Sequence, residues 1–250
     1  MGVNNGILSG VGNGIIPNYS KVISRGKTIS GNNKYQMGNF LKLWLKSDAG
    51  VTLNGSNVSK WSDLSGNGND CIQGTTVSQP LLVANQLNGY PVLRFDGIND
   101  FMTFASGFMY NWTDVTLLFV IKPTMGSNSG IFAPSTTNST GLEVLALTGV
   151  HELRINGAIK YASGLFTNNS FSISDIEYNA TSTFAYKNGT ALSPLSGGNA
   201  LNLNGIYTLG RYSSSYYSAF DVAEIISYNK FLTYIELFQV NNYLKSKYLL

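Results

Sequence analysis

Acidic side chains that could work in pairs are the starting point for any catalytic chemistry in this sequence. Hydrolysis of a glycosidic bond with retention needs two carboxylates about 5 Å apart, one as nucleophile and one as acid. Asp221 and Glu224 lie on one strand candidate. Because side chains alternate along a strand, their odd spacing predicts that they point to opposite faces. Glu224 is therefore predicted to be a structural acid that bonds the backbone or Arg211.

Hard oxygen ligands concentrate in one predicted loop. Asp96, Asn99 and Asp100 lie close together in the sequence, and Ca²⁺ binds carboxylate and amide oxygens. Asp63 or Asp70 could contribute from a second, Gly-rich loop if the fold brings the two loops together. Asp-Gly and Asn-Asp are also ordinary turn sequences, so a purely structural loop is the alternative. Calcium is thus one hypothesis for this loop, and no cofactor is required.

Aromatic side chains beside polar ones mark places where sugars could bind. The C–H faces of sugars stack on aromatic rings, while their hydroxyls take hydrogen bonds. Tyr212, Tyr216 and Tyr217 share a serine-rich segment between two strand candidates, which predicts a loop. Trp112 with its neighbour Asn111 is a second candidate. For both sets the alternative is packing, since large aromatic residues commonly fill the ends of a β-sandwich.

Short apolar stretches separated by turn residues must position these side chains. In Leu41–Lys46, leucines alternate with other residues, as in a strand with one apolar face. Asn156-Gly157 and Asn188-Gly189 favour tight hairpins, because Asn-Gly supplies the positive φ angles that such turns need. Further strand candidates are residues 91–95, 101–105, 115–122, 141–147, 152–155, 171–178, 181–187, 205–209 and 219–229.

The C-terminal segment has a helical pattern instead. Thr233 followed by Glu236 matches a capping box at a helix N-terminus. Apolar residues then recur on one face at helical spacing, namely Leu237, Val240, Leu244 and Tyr248. Many short strands without alternating helices predict an all-β fold, a two-sheet antiparallel sandwich with this helix packed on it.

Two segments are predicted to serve the fold itself. The Gly-rich segment that begins at Trp61 can turn tightly, with Asp63 bonding nearby backbone N–H groups and Gly66 taking a conformation closed to other residues. Asp221 and Glu224 belong to the strand that leads into the closing helix. We expect all five of these residues to be structural.

Four motifs in a fixed order resemble the laminin-G-like, concanavalin A-like jelly-roll domains of bacterial surface proteins and phage structural proteins. The resemblance covers the chain from about Phe40 to Leu250. The motifs are Leu-Trp-Leu…Asp-Ala near Trp44 and Asp48, Trp-x-Asp-x-Ser-Gly-x-Gly-Asn from Trp61, Arg-Phe-Asp-Gly-x-Asn-Asp from Arg94, and Val-Ala-Glu-Ile-x-x-Tyr-Asn from Val222.

This resemblance implies two antiparallel sheets packed face to face. It also implies relatives that bind glycans, proteins or calcium, and some that hydrolyse polysaccharide. In the hydrolysing, laminarinase-like members, the acids follow Glu-x-Asp-x-x-Glu or a variant one residue longer on a single strand. No such string occurs here, since Asp175-Ile176-Glu177 comes nearest and lacks the third acid. The sequence therefore predicts a protein that is not an enzyme.

Residues 1–38 differ from the rest of the chain. They are rich in Gly, Asn and Ser, and isolated apolar pairs such as Ile15-Ile16 repeat at neither helix nor strand period. We expect an extended arm that is either disordered or ordered only against a partner subunit. Residues 39–250 are then the jelly-roll domain.

Composition excludes several classes of protein. Charged residues make up 12% of the chain, the net charge is only +3, and the basic residues are scattered, which disfavours nucleic-acid binding. The single cysteine, Cys71, rules out an intrachain disulfide. The sequence shows neither the pattern of a secretory signal nor an apolar run of membrane-spanning length.

Two functions fit these observations. In the first, the protein is a structural or accessory phage protein of the capsid-decoration, fibre or tail type, located on the particle surface. Its arm would hold other virion proteins or copies of itself, and its jelly roll could bind host-surface glycans. In the second, it is a carbohydrate-binding, lectin-like module of a bacterial surface protein.

Overall fold

The computed structural model describes residues 38–250 except 106, 125–128, 136–140, 148–149, 162–163, 193–202 and 204. Apart from Gly38, the predicted arm lies outside the described residues.

The described part of the chain is mostly antiparallel β-structure. Its first strands are β1 (Leu41–Lys46), β2 (Val51–Asn54), β3 (Asn57–Trp61), β4 (Cys71–Ile72), β5 (Leu81–Leu87), β6 (Tyr90–Asp96), β7 (Met102–Phe104), β8 (Val115–Pro123), β9 (Ser129–Pro134) and β10 (Leu142–Leu147). They are followed by β11 (Val150–Ile155), β12 (Ala158–Tyr161), β13 (Ser172–Tyr178), β14 (Thr183–Lys187), β15 (Thr190–Ala191), β16 (Tyr207–Leu209), β17 (Arg211–Tyr212), β18 (Tyr216–Tyr217) and β19 (Ala219–Tyr228). The α-helix is α1 (Tyr234–Tyr248), and short 3-10 helices cover Gly38–Phe40 and Thr76–Ser78.

Strand pairing forms two layers. In the first layer, the order is β15-β14-β13-β8-β19. The free edge of β19 pairs with β6 over its first part and with β1 over its second. In the second layer, the order is β3-β4-β7-β16-β9-β10-β11-β12. Strand β5 links the layers, because it pairs with both β6 and β3.

Strand β8 lies between two apolar cores. Leu117 and Phe119 face the core between the layers, where the Phe119 ring lies 6.2 Å from the ring of Phe132 in β9. Leu118 and Val120 belong to the second core, beneath the helix. Because both of its faces are covered, β8 has the nearly continuous apolar sequence of a buried strand.

The closing helix forms as predicted. The Thr233 side chain accepts from the N–H of Glu236, and the Glu236 carboxylate accepts from the N–H of Thr233, so the capping box is complete. The four predicted apolar positions of the helix are all buried. No helix in the described ranges is both long enough and apolar enough to cross a membrane.

The predicted all-β sandwich with a C-terminal helix is confirmed. Most predicted strands agree with the structure within one or two residues. Two start two residues later, at Thr183 and Tyr207. Before Thr183, the Asn179 side chain accepts from the N–H groups of Thr181 and Ser182 and holds a turn. Cys71 is completely buried in β4, and its strand neighbour across the sheet is Phe104 of β7.

Candidate functional site

The predicted tyrosine loop is a small hairpin. Strands β17 and β18 pair antiparallel, with Tyr212 opposite Tyr216 and their ring centroids 6.3 Å apart. Ser213 turns the chain with a φ of 62°. Tyr216 is 47% exposed, so an aromatic face is open to solvent at the surface of the domain. We call residues 211–217 the tyrosine hairpin.

The tyrosine hairpin rests on Phe101. The Arg211 guanidinium carbon lies 3.6 Å from the centre of the Phe101 ring, and the Tyr217 ring lies 6.3 Å from it. Just before the hairpin, Gly210 has a φ of +90°, and a Cβ there would lie 2.9 Å from the Asp100 carbonyl oxygen. Such a close approach is open only to glycine. The hairpin is therefore fixed to the loop that ends at Phe101.

That loop contains the predicted calcium ligands and is built by its own hydrogen bonds. Asp96 Oδ1 accepts from the N–H groups of Ile98, Asn99 and Asp100 at 2.8, 3.1 and 3.3 Å. Asp100 Oδ2 accepts from the N–H of Asp96 at 3.0 Å. Within the described residues, no group of three or more His, Cys, Asp or Glu side chains is placed to hold a metal ion. Calcium binding by Asp96, Asn99 and Asp100 stays a prediction.

Asp96 and Asp100 of this loop also line a cleft of about 360 Å³. Strand β6 contributes Arg94, β8 contributes Lys122 and β19 contributes Asp221, and these three residues are direct neighbours across the strands. The other polar side chains that line the cleft are Asp96, Asp100, Thr124 and Asn169. The cleft therefore offers hydrogen-bond donors and acceptors side by side.

Asp221 holds the two cations of the cleft. Its carboxylate accepts from Arg94 Nε at 2.6 Å and Nη2 at 2.8 Å, and it lies 2.7 Å from Lys122 Nζ. Burial by itself would raise the pKa of Asp221, but the hydrogen bonds from Arg94 and Lys122 outweigh it and lower that pKa. The Arg94 and Lys122 side chains remain 40% and 28% exposed. They can therefore still meet a ligand.

Asp100 is the acid of the cleft that is hardest to ionise. Burial raises its pKa to about 6, and the charge of Asp96 adds to the rise, against the backbone hydrogen bond from Asp96. Near neutral pH the cleft thus combines two cations, a fully paired carboxylate and an acid close to its titration point. Such a mixture suits hydroxyl groups, which both donate and accept.

The expectation that Asp221 and Glu224 point to opposite faces is wrong. Their partners on β8 are Lys122 and Val120, two positions apart, and the register shifts by one residue at Ala223. Residues directly opposite each other lie on the same face of an antiparallel pair. The β-bulge at Ala223 therefore places Asp221 and Glu224 on one face, the face that the helix partly covers.

Of the two partners predicted for Glu224, the backbone or Arg211, Arg211 is wrong, because its guanidinium lies on the Phe101 ring. The Glu224 carboxylate accepts from Trp44 Nε1 at 2.6 Å, the Tyr248 hydroxyl at 2.8 Å and Lys247 Nζ at 2.9 Å. Its side chain has no exposed surface. Glu224 therefore joins β1, β19 and the helix and cannot reach a ligand.

The Trp61 loop has structural contacts throughout. Trp61 is fully buried and donates from Nε1 to the Lys46 carbonyl at 2.8 Å. Asp63 Oδ1 accepts from the N–H of Trp44 and Oδ2 from the N–H of Asn69, at 2.9 and 3.0 Å. Gly66 has a φ of +87°, which other residues rarely adopt. Here the Gly-rich segment anchors strand β1.

The second predicted sugar site lies elsewhere. Trp112 is half-buried and packs against the inter-layer core, with its ring edge-on to Phe108 at 5.5 Å. Asn111 is exposed and has a positive φ of 59°. The described contacts of Trp112 are those of a packing residue. The structure thus brings together the tyrosine set and the Asp96–Asp100 set through Phe101, without Trp112.

Four lining residues were missed from the sequence: Arg94 as a ligand-facing cation, Lys122, Thr124 and Asn169. Arg94 had a signal, because it opens the Arg-Phe-Asp-Gly motif. No sequence signal marked Lys122 or Asn169. Lys122 reaches Asp221 through the register between strands, and Asn169 reaches the cleft through the path of the chain after β12.

Comparison with known proteins supports the fold. No family model matches the chain, and the search of curated proteins found no match. Among solved structures, the binding domain of Paraclostridial Mosquitocidal Protein 1 is similar with a TM-score of 0.62 and 15% identity over 82% of this chain and 52% of that one. The botulinum neurotoxin serotype D ligand-binding domain in complex with N-acetylneuraminic acid gives 0.61 and 13%, over 84% and 51%.

Trypanosoma rangeli sialidase in complex with sialic acid gives a TM-score of 0.57 and 15% identity, over 80% of this chain and 32% of that one. This chain thus spans between a third and a half of the length of these solved proteins. At such low identity the likeness shows a shared β-sandwich fold and nothing about ligands.

Proposed function

We propose that this protein is a carbohydrate-binding β-sandwich module that binds sugars without hydrolysing them. The observation that carries the proposal is one loop, residues 96–101: Phe101 contacts the tyrosine hairpin, whose Tyr216 ring is exposed, and Asp96 and Asp100 line the polar cleft. Tyr216 supplies a ring for stacking, while Arg94, Lys122 and Asn169 supply hydrogen bonds to hydroxyls. Two solved proteins of similar fold, in complex with sialic acid and with N-acetylneuraminic acid, make a glycan the first ligand class to test.

The acids of this region support binding over catalysis. Retaining hydrolysis needs two carboxylates that can both reach the substrate. Asp221 is paired with two cations, and Glu224 is covered by Trp44, Lys247 and Tyr248. Neither is placed to act as a nucleophile, although the bulge brings them to one face.

A glycan array with neutral and sialylated sugars tests this function. We expect binding that Tyr216→Ala and Lys122→Met each weaken at least about tenfold, the scale of one lost stacking or polar contact. Tyr234→Ala is the matched control, because Tyr234 is an exposed tyrosine (58%) on the helix. Absence of binding to any sugar would contradict the proposal. Loss with Asn111→Ala, but not with Tyr216→Ala, would move the site to Trp112.

We further propose that the protein belongs to a phage particle. This proposal rests on the sequence of residues 1–38, whose isolated apolar residues suit contacts with virion proteins or with further copies of this chain. The alternative is a lectin-like module at a bacterial surface. A protein that begins at residue 39 separates the two: loss of incorporation into particles with retained glycan binding supports the virion function, and unchanged behaviour of both contradicts it.

A further inference from the structure

Two acids are buried where the closing helix meets the sheet. Asp175 and Glu177 are 0% and 2% exposed and lie two positions apart on β13, so they share a face. Asn241 of α1 contacts Asp175 and is itself only 3% exposed. Buried carboxylates are costly unless they are paired with a cation or neutralised. No ion pair is formed by either acid in the described residues.

Asn241 is held in one orientation by its own hydrogen bonds. Its amide nitrogen donates to Asp175 Oδ2 at 2.6 Å and to the Leu237 carbonyl oxygen at 3.2 Å. Both amide hydrogens thus have acceptors. Exchanging the amide oxygen and nitrogen would lose both bonds, so the amide oxygen is fixed by what its nitrogen binds.

The remaining oxygens of this pair are the informative feature. Asp175 Oδ1 and Asn241 Oδ1 are both fully buried, and neither has a hydrogen-bond partner among the described residues. Leaving two buried acceptors unpaired is expensive. While Asp175 is ionised, both oxygens can only accept hydrogen bonds. A single proton on Asp175 Oδ1 turns that oxygen into a donor.

We infer that Asp175 is a neutral carboxylic acid in the folded protein and that its Oδ1–H donates to Oδ1 of Asn241. The acid and the amide then form a closed pair of hydrogen bonds that fastens helix α1 to strand β13. The proton comes from solvent, and no other group changes its bonding. The docking of the helix is in this way linked to pH.

The surrounding charges agree with a retained proton. Burial raises the pKa of Asp175 to about 7, against the hydrogen bond from Asn241 and the charge of Lys245. Burial, together with the charge that Asp175 carries when it is ionised, likewise raises the pKa of Glu177 to about 7. Tyr186 of β14 faces Glu177, and its own pKa is raised to about 12. Among these groups Lys245 is the one cation, and it is too weak a partner to hold two ionised acids.

The raised pKa of Asp175 decides in which direction the stability of the fold changes with pH. A carboxyl that binds its proton more tightly in the folded state stabilises the fold fully below its unfolded pKa of about 4. This stabilisation is lost as the pH rises towards the folded value of about 7. Over that window Asp175 should increase the unfolding equilibrium constant by up to about tenfold per pH unit.

Asp175→Asn tests the proton directly. The new amide can donate to Asn241 Oδ1 and accept from its nitrogen, so it keeps the closed pair but cannot titrate. We expect denaturant unfolding of this variant to be less pH-dependent than that of the wild type between about pH 5 and 7, by close to one proton. Glu177→Gln is the matched control, and it should keep the Asp175 part of the slope.

The wild-type protein provides a second measurement that does not depend on a variant. The ¹³C chemical shift of the Asp175 carboxyl should report a protonated acid at pH 5 and titrate well above the ordinary range of aspartate. Hydrogen exchange of the α1 amides, corrected for its intrinsic pH dependence, should accelerate on ionisation. A carboxyl shift that titrates near about 4, or equal slopes for wild type and Asp175→Asn, would overturn the inference.

Discussion

Asp221 and Glu224 lie three residues apart on one face of one strand, yet their surroundings differ completely. Glu224 is covered by β1 and the closing helix, and every described partner of its carboxylate belongs to the fold. Asp221 has only 4% of its side chain exposed, but the two cations that it holds are open to a cleft.

The comparison shows that coverage, rather than residue type or spacing, decides what an acid does here. The closing helix covers Glu224 but not Asp221. On the covered side a carboxylate serves as a connector between elements. On the open side a similar carboxylate holds the two cations that can face a ligand.

The largest effect is expected from Glu224→Ala. It removes one of the two acids that Lys247, only 8% exposed, is paired with and leaves Asp48, and it removes the acceptor of Trp44 Nε1 and of the Tyr248 hydroxyl. The free energy of unfolding should fall by about 3 to 5 kcal/mol, measured with urea at neutral pH. Glu224→Gln keeps an acceptor and should cost less. A loss below about 1 kcal/mol would show that the covered region is not a buried ion-pair site.

Gly210→Ala should have the next largest effect. A Cβ would lie 2.6 Å from the Phe95 ring, at a φ of +90°. Strain and overpacking together should cost about 2 to 3 kcal/mol and displace the tyrosine hairpin from Phe101. Thermal unfolding and glycan binding measure the two consequences. Gly74→Ala, with open space around it, is the control that should leave both unchanged.

Asp221→Asn should cost less, about 1 to 2 kcal/mol, because Arg94 and Lys122 can turn to solvent. The lowered pKa of Asp221 fixes the sign of the pH effect. Its stabilisation is present above the unfolded pKa of about 3.9 and is lost as the pH falls through the folded value. Acid unfolding should therefore weaken the wild type more than the variant. Parallel curves for the two proteins would contradict this assignment.

The smallest effect on stability is expected from Tyr216→Ala. A surface substitution away from caps, cavities and ion pairs usually changes the free energy of unfolding by no more than about 0.5 kcal/mol. Trp112→Ala removes a ring packed on the inter-layer core and should cost several times more. If the two variants were equally destabilised, the hairpin would be part of the core rather than an open surface.

Patterns of residue type predicted the fold well, because they act locally. The alternating leucines of β1, the Asn-Gly turns and the Thr233 capping box each act within a few residues. The sequence did not predict the strands β2, β3, β4, β5, β9, β12, β15, β17 and β18, most of which are short. The four buried positions of α1 were predicted correctly because helical spacing by itself selects the covered face.

The candidate site was predictable only in part. The tyrosine set and the Asp96–Asp100 set were both singled out, but nothing in their spacing indicated that Phe101 would join them. The β-bulge at Ala223 made the prediction from alternating side chains wrong, because one extra residue moves every later side chain of the strand to the opposite face. Contacts such as Lys122 with Asp221 depend on register between distant strands, which local patterns do not encode.

The single thiol of Cys71 can be used to detect opening of the sandwich. It is completely buried between β3 and β7, and burial raises the pKa of the thiol well above its usual value. Alkylating reagents react with exposed thiolate, so the native state should resist them. Because the chain has no other cysteine, each molecule can gain one label only, and the rate at which the labelled fraction grows reports how readily the thiol becomes exposed.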